Sequence, residues 1–399
     1  MKFMGNTINM TPTRRAILAS ATAASYSRIL GANDRISLGF VGVGERGKFL
    51  LGKFLSQSQV QVGAVCDVFE QRIAEAKKIA AGAQAYQDHR RLLERKDLDG
   101  VVIATPDHWH ASIAIDAANA GKDIYVEKPL TLRIEEGLPI VKAVRLNQRI
   151  CQVGMQRRSS PQIIEARTKL VPRLGKILRA RTWWNGNTAH LRRAPESWRT
   201  KPEGLDWGRF LGPATWREWD PQQFFNFRAY LDFGGGMITD LFTHFIDAAH
   251  MLIGEDIPHS GSAAGGVFHY KDGRTAPDTI HALLSYPGGW NATYEGMLAP
   301  GADGAGLEIA GVEGRLIVGR VVEFIPREGG GKPESVTSSA DQVMPHVINF
   351  LDCMRSRKLP NGDVLIGHRS AQASHLATQA YMQRRQIDFD PVSERVLRP

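Results

Sequence analysis

The strongest constraint on this chain lies between residues 36 and 155, where short apolar runs alternate with helical segments. "RISLGFVGVGERGKFLL" is an apolar strand that runs into a glycine turn and then a helix. "VQVGAVCDV" is a second strand, and "FEQRIAEAKKIAAG" a helix with apolar residues at helical spacing. "DLDGVVIATP", "KDIYVEKP" and "RICQVGMQ" continue the series. Strands and helices alternating at this spacing imply βαβ units and a doubly wound parallel sheet. The strands are apolar throughout, as a sheet covered by helices on both faces requires. At 399 residues the chain is too long for one typical core, so a second domain is expected.

Within this frame "GVGERG" places Gly42, Gly44 and Gly47 in GxGxxG spacing directly after the first strand. Gly42 permits the tight turn, Gly44 lets backbone approach a pyrophosphate, and Gly47 lets the helix pack close to the strand. The helix that opens at Glu45 and Arg46 turns its N-terminus toward the phosphate charge. Asp67 ends the second strand, where a carboxylate can accept from both ribose hydroxyls of an adenosine and repels a 2′-phosphate. The expected cofactor is therefore NAD rather than NADP. Arg72, the nearest cation after Asp67, lies on the following helix.

Ligands of an open parallel sheet sit beyond the carboxyl ends of its strands. "TPDHWH" follows the fourth strand and "EKP" the fifth, so both line the crevice expected for the nicotinamide end. Thr105, Pro106, His108, His110, Glu127 and Lys128 are the candidate cofactor contacts. Thr105 and Asp107 could equally cap the helix that starts near His108. Lys128–Pro129 is a candidate cis peptide.

The run of GxGxxG, Asp67, TPDHWHA and EKP resembles the Gfo/Idh/MocA family of oxidoreductases. The resemblance continues into "DFGGGMITDLFTHFIDAAHMLIG", which is similar to the family's GGG…D-x-x-x-H segment, and covers roughly residues 36 to 385. It implies a Rossmann domain followed by an α+β domain on a large, mostly antiparallel open sheet. It also implies homo-oligomers, dimers or tetramers, through that sheet. By resemblance His244 is the general base, Asp240 holds substrate hydroxyls or orients His244, and Lys128 binds and polarises the reacting oxygen. Asp240 and His244, four apart in a helix-like run, are expected to share one face. His108, His110 and Glu127 become nicotinamide-side contacts on the same ground.

The second half reads consistently. "TIHALLSYPGGWNATYEGML" suggests two strands joined by a Pro-Gly-Gly turn, and "LEIAGVEGRLIVGRVVEFIP" two or three more. "REGGGKPESVTSSADQ" suggests an exposed loop. "HVINFLDCMRSRK" and "HRSAQASHLATQAYMQRR" are amphipathic helices that, by resemblance, pack back on the first domain. The division expected is an arm or signal over 1–34, a Rossmann domain over 35–155, a substrate domain over 156–385, and a tail over 386–399. Six of the eight tryptophans fall between residues 183 and 219, and sugars offer flat C–H faces to such rings. Trp184, Asn185, Arg228 and Tyr230 are the candidate substrate contacts there. Gln156, Arg157 and Arg158 end a strand facing the same crevice, where an arginine could bind substrate oxygens.

A net charge of +9 comes with no basic helix and no arginine stripe interleaved with aromatics, so nucleic acid is not an expected partner. Cys66, Cys151 and Cys353 lie far apart without CxxC spacing; they indicate neither a metal site nor disulfides. No run is long enough to span a membrane. "TPTRRAILASATAASYSRIL" places Arg14–Arg15 before an Ala/Ser-rich stretch, which resembles a twin-arginine export signal and implies a periplasmic or secreted protein; the alternative is an arm on a cytoplasmic one.

Three functions fit these residues. The first is an NAD-dependent dehydrogenase acting on a carbinol of a sugar, sugar derivative or cyclitol. The second uses the same residues but returns the hydride, as a glycosidase, lyase or epimerase with tightly held NAD. The His-Gly-rich loop characteristic of the family's glycosidase branch is absent from this sequence. A non-catalytic sensor is the third, and Lys128, Asp240 and His244 argue against it.

Overall fold

The computed structural model describes residues 35–186, 188–299, 304–338 and 341–397. The expected signal or arm over 1–34, Arg14–Arg15 included, lies outside the described residues.

The first domain carries six parallel strands: β1 (Ile36–Val41), β2 (Val60–Cys66), β3 (Gln84–Tyr86), β4 (Gly100–Ile103), β5 (Asp123–Val126) and β6 (Cys151–Val153). Their order is β3-β2-β1-β4-β5-β6, so the direction of winding reverses between β1 and β4. Helices α1 (Glu45–Leu55), α2 (Glu70–Ile79), α3 (His110–Asn119) and α4 (Gly137–Leu146) cover the two faces. β1, β4, β5 and β6 are buried along their whole length, which explains the unbroken apolar runs in the sequence. Cys66 and Cys151 are buried free thiols within these strands, as expected of small apolar side chains.

After α5 (Pro161–Lys169), the second domain builds a ten-stranded sheet from β7 (Ile177–Asn185), β8 (Ser260–Gly266), β9 (Thr279–Tyr286), β10 (Trp290–Met297), β11 (Ala305–Gly311), β12 (Gly314–Val318), β13 (Val321–Pro326), β14 (Glu334–Thr337), β15 (Ile387–Asp390) and β16 (Arg395–Val396). The order is β14-β13-β12-β11-β7-β10-β9-β8-β15-β16. β7 runs parallel to β10 and every other pairing is antiparallel, which makes the sheet mixed and mostly antiparallel. One face packs on α6 (Thr243–Ile253) through Phe242, Phe245, Ile246, Leu284, Tyr294 and Ile309.

Two sequence expectations need correction. The supposed tail holds β15 and β16, with Ile387 and Phe389 fully packed in the second core. The supposed loop after Arg327 contains β14, paired with β13 at the sheet edge. Strands of four and two residues are too short to register as a period.

The last two helices, α7 (Val343–Ser356) and α8 (Val364–Gln383), return to the first domain as the resemblance implied. Val347 and Phe350 of α7 join the core beneath β1. α8 puts Val364 and Ala371 into a first-domain core, and Ala373, Leu376, Ala377 and Ala380 into that of the second. One helix thus belongs to both domains and ties their cores together.

Candidate active site

The cleft, of about 610 Å³, opens where the strand order reverses and runs along the carboxyl ends of β1, β2, β4 and β5. Its floor is the glycine turn. Gly42 adopts φ +81°, and a Cβ there would lie 2.6 Å from the Thr105 nitrogen, so the turns after β1 and β4 touch. A Cβ on Gly47 would meet the Gly42 carbonyl oxygen at 2.0 Å; Gly47 serves close packing and does not line the cleft. At Gly44 the nearest atom to an added Cβ is on Arg72, 3.7 Å away, which leaves the backbone open to the cleft. α1 begins there without a side-chain cap, which leaves its first N–H groups open to a phosphate. The Thr105 hydroxyl is buried without a partner among the described residues, another donor held for a ligand.

Asp67 is buried at the end of β2. Its carboxylate accepts from Val43 N at 2.9 Å and Phe69 N at 3.1 Å, with the Arg72 guanidinium 4.0 Å away. Burial raises its pKa, against the pull of Arg72 and those N–H groups. The uncapped helix, the open Gly44 and the acid at the end of β2 are the parts a dinucleotide requires, so NAD fits this half of the cleft.

The adenosine half is roofed by residues 192–225 of the second domain. Asp206 N donates to Val68 O at 2.9 Å and Glu70 N to Gly204 O at 3.0 Å, with a bridge between Phe69 and Leu205. Trp198, Phe224 and Phe225 line the cleft there, and Arg72 lies 4.6 Å from the Phe224 ring centroid. At the mouth Arg192 pairs with Glu45 at 2.5 Å.

The other end gathers charge. Lys128 follows β5 through a cis peptide to Pro129, as expected, and its ammonium donates to both the backbone oxygen (2.7 Å) and a carboxylate oxygen of Asp240. The second carboxylate oxygen of Asp240 takes His190 Nε2 at 2.8 Å and Arg228 Nε at 3.1 Å. Burial opposes ionisation of Asp240, but Arg228, Lys128 and His190 outweigh it and hold the pKa well below the usual carboxylate range. Asp240 stands on a π-helical turn, Ile238–Phe242, that runs into α6. The widened turn breaks the regular helical spacing expected from the sequence. Asp240 therefore serves Lys128, His190 and Arg228, and no hydrogen bond joins it to His244 among the described residues. His244 lines the cleft beside them, and burial, then Lys128 and Arg157, keep its imidazole neutral.

Glu127 is held by Arg46, with Nε at 2.8 Å and Nη2 at 2.7 Å, and Gln156 lies 3.4 Å from the same oxygen. All three line the cleft. His110 borders the floor but is fixed between the carbonyls of Pro129 (2.7 Å) and Thr105 (2.9 Å), so it clamps the two loops together. Asp107, only 4% exposed, faces the cleft, and burial pushes its carboxyl up to about 7 against the pull of Arg228.

Four sequence candidates sit elsewhere. His108 turns away, its Nε2 2.8 Å from the Phe210 carbonyl and its ring against Phe233, where burial lowers its pKa to about 4. Arg158 is buried and spent on Asp247 at 2.6 Å. Tyr230 packs inside the aromatic cluster of Phe210, Phe224 and Phe233. Asn185 ends β7 with its N–H on Gly304 O at 2.7 Å, outside the cleft lining. Trp184 and Arg157 are set just behind His244, the Trp184 ring 6.1 Å from that imidazole. Conversely, His190 and the roof residues Arg192 and Phe224 had no sequence signal, and Trp198, part of the tryptophan-rich segment read for a sugar, lines the adenosine half instead. They come from an irregular segment whose course only the tertiary structure fixes.

Residues 36–155 match the model described as "Oxidoreductase family, NAD-binding Rossmann fold", GFO_IDH_MocA. Residues 179–398 match its companion, "Oxidoreductase family, C-terminal alpha/beta domain". Among curated relatives, an alpha-N-acetylgalactosaminidase of Shewanella oneidensis is 35% identical over 127 residues, 30% of this chain and 28% of that protein. A glycosyl hydrolase family 109 protein of Shewanella pealeana is 34% identical over 132 residues, again 30% of this chain and 28% of that protein. The match thus spans under a third of these relatives' length. Among solved structures, a levoglucosan dehydrogenase in complex with NADH and levoglucosan superposes with TM-score 0.71 at 19% identity, covering 89% of this chain and 99% of that one. The WlbA dehydrogenase of Bordetella pertussis, in complex with NADH and UDP-GlcNAcA, gives TM-score 0.69 at 20% identity over 90% of this chain and 98% of that one. At these identities the likeness is one of fold.

Proposed function

The chain belongs to the Gfo/Idh/MocA oxidoreductase family, and from that premise we propose that it is an NAD-dependent enzyme oxidising a carbinol of a sugar, sugar derivative or cyclitol. The observation that carries the proposal is the Lys128–Asp240 pair opening on the cleft beside a neutral His244. NAD, held by the Gly44 turn, Asp67 and the Thr105 loop, supplies the hydride acceptor. Lys128 donates a hydrogen bond to the substrate oxygen and stabilises the negative charge that grows on it. His244, neutral and at the cleft wall, accepts the hydroxyl proton. Asp240 stays ionised and holds Lys128, Arg228 and His190 in place; it is an anchor and does not carry the proton.

A second reading has a specific support of its own. The roof over the adenosine half disfavours release of NAD, which suits redox-neutral turnover by transient oxidation, elimination or rearrangement, and return of the hydride. The partial similarity to the glycosidase relatives points the same way. Retained NAD also suits the proposed twin-arginine export to the periplasm, where no free pool recycles it. Assembly through the outer face of the large sheet is proposed as well. Purified protein assayed with sugars and aryl glycosides, with and without added NAD, separates the readings. NADH accumulation supports net oxidation, and product without NADH from protein carrying NAD supports the redox-neutral form.

A further inference from the structure

We propose that the sugar entering this site carries a carboxylate and that Arg157 binds it. The inference rests on the reading of the cleft as a sugar-oxidising site and adds the charge of the substrate.

Arg157 lies on the 3-10 turn after β6, directly after the cleft-lining Gln156. Its guanidinium carbon sits 3.9 Å from the centroid of the Phe245 ring, and the residue is half-buried. Among the described residues the guanidinium makes no ion pair and no hydrogen bond. The acid that acts on it, Asp247, is already committed: its Oδ1 accepts from Arg158 Nε at 2.6 Å and from Ser370 Oγ at 2.8 Å. Burial lowers the Arg157 pKa to about 10, with Asp247 opposing only in part, so it remains a cation at neutral pH.

The cations that line the cleft are matched from within the protein, whereas Arg157 lies behind His244, outside that lining. Lys128 and Arg228 share Asp240, Arg46 holds Glu127, and Arg192 holds Glu45. A half-buried cation without a counter-charge gains more from a ligand anion than one already paired. The position selects the substrate rather than the cofactor phosphates. Arg157 is near enough to depress His244, and it shares the Phe245 ring with Trp184, whose centroid lies 5.7 Å from it. A sugar with its reacting hydroxyl at Lys128 and His244 would have to send a ring substituent past His244 to reach Arg157. A guanidinium whose carbon sits over an aromatic ring, with no partner of its own, keeps N–H groups for a planar, two-oxygen partner. A phosphate would call for further donors, and the neighbouring cations are already paired.

The test compares glucuronate with glucose and galacturonate with galactose on the NAD-loaded protein, with glucose 6-phosphate as the phosphate arm. Affinity is read by calorimetry, and turnover by NADH or product formation. The expected result is affinity at least about tenfold higher for each acid than for its neutral partner, carried in KM more than in kcat. In Arg157→Gln the ratio should fall to within about twofold, and Arg157→Lys should keep part of it. Equal affinity for acid and neutral sugar, preference for the phosphate, or a ratio unchanged in Arg157→Gln would overturn the inference. Should Arg157→Gln not fold, the wild-type ratios decide. Because calorimetry does not need turnover, absence of oxidation with every sugar refutes the proposed function separately, and neutral-sugar turnover without acid preference refutes this inference alone.

Discussion

Lys128 and Asp240 meet across the domain boundary, the ammonium from the loop after β5 bonding both the carboxylate and the backbone oxygen of an acid on the π-turn before α6. The pair depends on both domains, so the reacting end of the cleft exists only when they are packed together. Replacing Lys128 by Met should lower kcat by at least about a hundredfold, since a donor aimed at developing oxyanion charge is typically worth that much. NAD affinity should change little, and equilibrium binding beside steady-state rates checks both.

Asp240→Asn leaves Lys128, Arg228 and His190 around a neutral amide. Removing one partner of a buried pair costs about 3–5 kcal/mol, so a lower Tm should accompany the loss of rate. Lys128→Met, by contrast, leaves Asp240 matched by Arg228 and His190 and should disturb Tm less. Differential scanning calorimetry of the two variants gives the order.

The roof makes a prediction about the cofactor. Trp198→Ala removes a ring that lines the adenosine half and packs on Phe69, Phe224 and Phe225. Its NAD dissociation rate should rise by roughly tenfold, in line with the loss of an aromatic contact. Stopped-flow displacement of bound NAD measures this directly.

Asp67 should set the choice between NAD and NADP. Asp67→Asn keeps an oxygen for the Val43 N–H but removes the charge that repels a 2′-phosphate. The preference for NAD over NADP, read as a ratio of dissociation constants, should shrink by about tenfold or more.

Asp107 should leave a mark on stability. Its carboxyl, pushed up to about 7 chiefly by burial, titrates above the ordinary value of 3.8. A raised acid stabilises the fold most below the unfolded pKa, and that contribution is lost as pH rises through about 7. Asp107→Asn, which cannot ionise, should therefore gain on the wild type between pH 4 and pH 7, by on the order of 1–4 kcal/mol at the upper end. Denaturant titrations of both proteins across that range give the difference.

What the sequence revealed, and what it hid, follows from how local each signal is. Gly42, Gly44 and Asp67 act through backbone conformation and a strand end, so spacing alone located them. TPDHWH and EKP were placed on the cleft because strand ends in a parallel sheet all open on one side. Within those motifs the direction of each side chain was not legible. His108 and His110 are two apart, yet one faces an aromatic cluster and the other clamps two loops. The π-turn at Asp240 leaves no period in the sequence, so an ordinary helical face was expected. His190 reaches the site from an irregular segment with no pattern to read, and the tryptophan cluster around Trp198 did not say which end of the cleft it would line. Arg157 and Arg158 are adjacent arginines with the same sequence signal. Only Asp247 beside one and Phe245 under the other tell them apart.

The central proposal is that a sugar carbinol is oxidised by NAD held in this cleft, with Lys128 polarising its oxygen and His244 accepting its proton. Its most direct test is a single-turnover assay of the NAD-loaded protein, following nicotinamide reduction on addition of each sugar, in the wild type, Lys128→Met and His244→Ala. The account predicts rapid reduction by at least one sugar in the wild type and loss of that phase by at least about a hundredfold in both variants, with NAD still bound. Reduction at the wild-type rate in both variants would contradict it.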